Sequence, residues 1–120
     1  MIVAVYGTLR KGQPNHHLLG NSAFLGTASL PSGYVLTVAQ LPFLTRKNNG
    51  LGALIELYSV DAATLSTLDY LEGHPNMYIR TPITIMHNNS PLEVFVYLYN
   101  GTPPKGDVTY DYSGYIIQRK

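Results

Sequence analysis

The sequence has no cysteine among its 120 residues. Disulfide frameworks, thiolate nucleophiles and zinc-thiolate sites are therefore excluded, and any catalysis must rest on oxygen or imidazole groups. Charge is scarce as well. Only 12% of the residues are charged, and eight Lys and Arg against seven Asp and Glu leave a formal net charge of +1. The cations come as scattered pairs, Arg10-Lys11, Arg46-Lys47 and Arg119-Lys120, rather than as a stripe. That is a poor electrostatic footprint for nucleic acid, and no such partner is expected. No apolar run approaches the roughly 20 residues needed to span a bilayer. The N-terminus also lacks the basic region and cleavage site of a secretory signal. The expected location is cytoplasmic, with no membrane partner. With 45% hydrophobic residues the chain is long enough to bury a core without staples, and residues 1–120 are expected to form one domain.

What is present is organised mostly as strands. Residues 2 to 6 read as a buried strand, and Asn15-His16-His17-Leu18-Leu19-Gly20 as a single helical turn with Asn15 as N-cap. Residues 22 to 30 alternate loosely, 34 to 38 are rich in β-formers, and 41 to 50 look like a loop. Leu51 to Tyr58 is apolar enough for a strand buried on both faces. In "DAATLSTLDYLEG" the period changes: Asp61 is placed to cap a helix, Ala62, Leu65, Leu68 and Leu71 fall three apart, and Gly73 follows the end. Residues 77 to 87, the turn "NNSP" and residues 92 to 100 read as a hairpin, with Pro82 pointing to an edge or a bulge. From Gly101 the tail is expected to wrap irregularly. Many strands around one main helix, without βαβ alternation, imply an α+β domain, a small mixed β-barrel with one main helix and a short helical turn.

Glu72 breaks a local rule. It lies in the last turn of the expected helix with Asp69 one turn before it, where free carbonyls and the negative end of the dipole favour cations. A carboxylate so placed is disfavoured as an anion, and its pKa is expected to rise through burial, the dipole and the like charge of Asp69. Acids at helix ends are also often merely solvated, or paired with a nearby cation such as Arg80. Glu56, mid-strand, and Glu93, in a hairpin flank, are weaker candidates. His16 and His17 are adjacent, and His74 and His87 have no partner at ligand spacing, so no metal is expected. "GTLRKGQ" lacks the Gly-Lys-Ser/Thr ending of a phosphate loop, and no cofactor is expected. The ten tyrosines read as filling for a small barrel rather than as a stacking platform for bases.

Two motifs, "VYGTLRKGQPNHHLL" near the N-terminus and "LDYLEGHPNMYIR" at 68 to 80, followed by "VFVYLY", resemble the gamma-glutamylcyclotransferase-like superfamily. The resemblance covers most of residues 2 to 100, and "YGTL" followed by "GQPNH" looks most like its gamma-glutamylamine cyclotransferase branch. It implies the fold of that superfamily, a small-molecule gamma-glutamyl substrate, and release of 5-oxoproline and a free amine without a cofactor. It also implies that Tyr6, Gly7, Thr8 and Leu9 form the substrate-binding loop, that Glu72 is the catalytic acid and base, and that Tyr78 and Arg80 border or brace the site. A strand ending in Gly-Thr can turn backbone N–H groups into an anion-binding nest, with glycine allowing close approach of the ligand. The alternative is a non-catalytic module that captures a carboxylated metabolite or a peptide terminus. Neither the amine nor the oligomeric state is readable from the sequence.

Overall fold

A computed structural model of the protein describes residues 1–113. The centre of the fold is β1 (Ile2–Val5), which lies between β5 (Leu54–Ser59), antiparallel to it, and β7 (Ser90–Tyr99), parallel to it. With β2 (Ala23–Ser29) and β6 (Tyr78–His87) at the edges, these strands form a five-stranded sheet in the order β2-β5-β1-β7-β6. A second sheet of three strands has the order β4-β3-β8, from β3 (Tyr34–Ala39), β4 (Leu41–Arg46) and β8 (Asp107–Thr109). Because strand side chains alternate, β1 feeds two cores. Ala4 packs with Leu36, Val38 and Leu44 of the small sheet, whereas Val3 and Val5 pack with Leu65 and Leu68 of the helix α1 (Ala62–Glu72). The large sheet is thus covered by the small sheet on one face and by the helix on the other.

The expected α+β composition with one main helix is present, but the sheets do not close into the expected small mixed β-barrel. The edge strands β2 and β6 curl toward each other, so that a Cβ at Gly26 would lie 3.4 Å from Cε1 of His87. No ladder joins them. A register shift between Phe24 and Gly26 interrupts β2, and Pro82, which has no N–H to donate, sits in β6. Bulges and edge prolines are features that stop further strand pairing.

The helix begins and ends as its sequence implies. Asp61 accepts from the Thr64 N–H at 2.7 Å, and Gly73 closes the helix in the left-handed region at φ 66°. The apolar stripe is shorter than its spacing suggests, because Leu65 and Leu68 are buried while Leu71 remains exposed. The hairpin turn consists of Asn88 and Asn89 alone, both at positive φ, and strand pairing resumes at Ser90. The segment expected as a loop after residue 40 contains β4, joined to β3 through Gln40 at φ 68°. Part of the expected irregular tail forms β8 against β3. The remainder of that tail, 114–120, lies outside the described residues. Among the described residues no helix is long and apolar enough to cross a membrane.

Candidate active site

Where β1 ends, the chain turns over the edge of the small sheet. Tyr6 is buried and its hydroxyl donates to the Tyr97 carbonyl at 2.7 Å, tying the start of the loop to β7. Gly7 is required by packing: a Cβ there would meet Cγ of Pro42 at 2.6 Å. The close approach seen at this glycine is that of a proline ring. The loop then folds on itself, with the Arg10 N–H donating to the Gly7 carbonyl and the Asn15 N–H to the Thr8 carbonyl. The Asn15 side chain makes no cap hydrogen bond to the short 3-10 turn His16–Leu19; its Nδ2 donates instead to Oγ1 of Thr8 at 3.0 Å. No hydrogen bond runs from the N–H groups of Gly7, Thr8 or Leu9 to a described residue.

A buried charge network fixes the far side of the loop. Nε of Arg10 lies 3.1 Å from Oε2 of Glu56, and its Nη1 lies 2.7 Å from Oδ1 of Asp111. The other oxygen of Glu56 accepts from the Lys11 N–H and the Tyr58 hydroxyl. Glu56 is therefore a satisfied structural carboxylate, and neither its position in the strand nor that of Arg10 in the loop announced the pairing.

Glu72 faces a cavity of about 200 Å³ beside this loop. Tyr6, Thr8, Leu9 and Tyr78 line it with Glu72, as do Asn15 and Tyr97, which the sequence did not single out for the site. Gly7 lies buried behind the lining, against Pro42. The Glu72 carboxyl has no hydrogen bond or ion pair to any described residue, and burial raises its pKa from the usual 4.5 to about 7. Burial, and after it the charge of Glu72, pushes the Tyr6 and Tyr78 phenols well above their usual range, so both remain protonated. Their donor hydrogens are already committed, Tyr6 to the Tyr97 carbonyl and Tyr78 to the Pro42 carbonyl, each at 2.7 Å. The rings wall the cavity and, among the described residues that line it, leave Glu72 as the one group able to exchange a proton near neutrality.

Asp69 does not act on Glu72 in the expected way. Its Oδ1 accepts from the Tyr97 hydroxyl at 2.7 Å and lies 3.0 Å from Nε of Arg80, a contact out of line for a hydrogen bond. The acid is partnered from β6 and β7, and burial is the cause of the raised Glu72 pKa. Arg80 therefore braces the helix end from outside the cavity lining, with its guanidinium 4.8 Å from the Phe95 ring centre. The Arg80 N–H also donates to Nδ1 of His74, fixing the residue after the helix cap. Glu93 lines a different cavity, with Met1 and Ile2.

The sequence profile of the family described as "Gamma-glutamyl cyclotransferase, AIG2-like" matches residues 3–116. The gamma-glutamylaminecyclotransferase of Bos taurus is 39% identical over 114 residues, spanning 86% of this chain and 68% of the relative. An AIG2-like protein from Mus musculus superposes with a TM-score of 0.76 at 32% identity, covering 86% of this chain and 79% of that one. An uncharacterised protein from Pyrococcus horikoshii superposes with a TM-score of 0.77 at 26% identity, over 99% and 95% of the two chains.

Proposed function

The chain belongs to the gamma-glutamyl cyclotransferase, AIG2-like family, and from that membership we propose that it releases 5-oxoproline and a free amine from a gamma-glutamyl amine such as gamma-glutamyl-epsilon-lysine. The observation that carries this reading is the Glu72 carboxyl, partly buried, unpartnered among the described residues and titrating near 7. A carboxyl with that proton affinity is populated in both forms at neutral pH, which is what a group that first removes and then returns a proton requires.

In this mechanism the alpha-carboxylate of the glutamyl group is held by the N–H groups of Thr8 and Leu9, which donate to no described residue, beside the Thr8 hydroxyl. Ionised Glu72 takes a proton from the alpha-ammonium, and the freed nitrogen attacks the gamma-carbonyl carbon of the same molecule. The new C–N bond closes a five-membered ring. As the tetrahedral centre collapses, the original amide C–N bond breaks and Glu72 returns its proton to the departing nitrogen; the regenerated carboxylate then takes the second surplus proton from the ring nitrogen and passes it to the freed amine, which leaves as an ammonium. Because nucleophile and electrophile belong to one molecule, holding it in the curled conformation can supply on the order of 7 to 11 kcal/mol of the barrier reduction. The small cavity and tyrosine walls favour that curled form and exclude water from the carbonyl.

The test is a panel of gamma-glutamyl amides scored for 5-oxoproline, with Glu72→Gln as control. Turnover by the wild type and none by the variant supports the reading. Tight binding of glutamate or 5-oxoproline without turnover of any amide would instead identify a capture module.

A further inference from the structure

The Asn15-His16 pair that follows the loop has no part in the chemistry above, and Asn15 breaks a local rule. Asparagine before a helical turn ordinarily caps it through its side-chain oxygen. Here the backbone, at φ -101° and ψ 4°, is not that of a cap, and the side chain makes no cap hydrogen bond to His16–Leu19. Asn15 lines the cavity instead, together with Thr8 and Glu72. Residues 15 and 16 reach back to residues 8 and 9 through three hydrogen bonds. The Asn15 N–H donates to the Thr8 carbonyl at 2.9 Å, Nδ2 of Asn15 donates to Oγ1 of Thr8 at 3.0 Å, and Nδ1 of His16 donates to the Leu9 carbonyl at 2.9 Å. With the Thr8 carbonyl turned toward Asn15, the Leu9 N–H across the same trans peptide faces the opposite way. The Gly7 carbonyl, which accepts from the Arg10 N–H at 3.0 Å, fixes the Thr8 N–H in the same manner.

The side-chain bond between Asn15 and Thr8 has a direction. An amide nitrogen can only donate, so Oγ1 of Thr8 is the acceptor and the hydroxyl hydrogen is not used in that bond. Among the described residues that hydrogen has no acceptor. A freely rotating threonine hydroxyl can accept from an ammonium as well as donate to a carboxylate. Held by Asn15, the Thr8 hydroxyl is a donor, as are the two N–H groups next to it. The distinction matters because a glutamyl group carries its ammonium and its carboxylate on the same carbon.

We propose that Asn15 is a positioning residue: its amide hydrogen sets the polarity of the Thr8 hydroxyl, so that Thr8 donates to the alpha-carboxylate and does not accept from the neighbouring ammonium. This inference rests on the cyclotransferase reading and names what orients the substrate in the same site. With the carboxylate held at Thr8, the ammonium is left to Glu72, which takes its proton. The carboxylate does not react, so its grip is the same in the bound substrate and in the transition state. Weakening that grip therefore raises KM and leaves kcat largely unchanged.

The experiment measures KM and kcat for 5-oxoproline release from whichever gamma-glutamyl amide the wild type turns over fastest, in Asn15→Ala, Asn15→Asp, Thr8→Val and the combination of Asn15→Ala with Thr8→Val. Asn15→Ala lets the hydroxyl rotate and should raise KM about three- to tenfold, the range of an ordinary hydrogen bond, with kcat within about twofold. Asn15→Asp is nearly isosteric but reverses the bond: the carboxylate accepts the Thr8 hydrogen and adds a negative charge beside that of the substrate. Its KM should rise more than about tenfold, as for loss of a hydrogen bond to a charged group, and above that of Asn15→Ala. In the Thr8→Val background, Asn15→Ala should change KM by less than about twofold. An Asn15→Asp variant milder than Asn15→Ala overturns the inference and leaves the cyclotransferase reading standing. So does an Asn15→Ala effect that persists in full without the Thr8 hydroxyl, which would show that Asn15 touches the substrate itself. A partly unfolded variant has a lower apparent kcat at the same KM, so a loss confined to kcat in both Asn15 variants means a merely structural role and also overturns the inference. No 5-oxoproline from any amide overturns the cyclotransferase reading itself, and this inference with it.

Discussion

Replacing Glu72 with Gln should sharply reduce turnover and, above neutral pH, make the protein more stable. Gln keeps the shape of the side chain but removes the proton-carrying group, so kcat should fall by about 10²- to 10⁴-fold, the usual contribution of a general acid-base. The stability effect follows from the raised pKa. Below about pH 4.5 the group is protonated in both folded and unfolded chains, and it contributes no pH-dependent difference. Between 4.5 and about 7 the unfolded chain ionises while the folded one retains its proton, so folding weakens as the pH rises through this window. Above 7 the full penalty is present. At 1.36 kcal/mol per tenfold change in proton affinity, a rise from 4.5 to about 7 corresponds to about 3 kcal/mol. The side chain is only partly buried, so solvent screening reduces this, and a gain of about 1 to 2 kcal/mol for the variant at pH 8 is expected. Urea denaturation of both proteins at pH 4 and pH 8 measures it, beside a 5-oxoproline assay at pH 8. A stability difference that is the same at both pH values would refute the burial argument, and retained turnover would refute the proton-shuttle role.

Three further outcomes are expected. In the wild type, kcat/KM should fall on acidification through a midpoint near 7, set by the raised pKa of Glu72, and a rate profile with its acid limb near 4 would contradict this. Glu56→Gln strips the buried Arg10 guanidinium of a charged partner and should cost about 3 kcal/mol in urea denaturation while raising KM through the loosened loop; an effect below about 1 kcal/mol would mean that Asp111 alone suffices. Gly7→Ala drives a methyl into Pro42 and should cost about 1 to 3 kcal/mol and reduce turnover, whereas Gly7→Ala combined with Pro42→Ala should recover part of both, and strictly additive losses would show that the clash is not with that ring.

Short-range chemistry made much of this protein legible from its sequence. The helix from Asp61 to Gly73 carries its own cap, stripe and stop, and the strand leading into Gly7 and the Asn-Asn turn between β6 and β7 are likewise local features. The family motifs and the misplaced acid at position 72 brought attention to the loop and helix end that share the cavity. What the sequence did not disclose lies in pairings between distant residues. Pro42 disrupts the pattern of β4, and β8 has only three residues; each is a strand because β3 offers it a ladder. The sheets stay open because a shifted register in β2 and a proline in β6 fall on facing edges, a coincidence that exists only once both strands are folded. Asp69 looked like a charge acting on Glu72 until Tyr97 and Arg80, from other strands, partnered it. The proton affinity of Glu72 was decided last, since a helix end sets where a carboxyl stands but the tyrosine rings from the loop after β1 and from β6 and β7 remove its water. Desolvation depends on all the surrounding atoms at once, and no stretch of neighbouring residues encodes it.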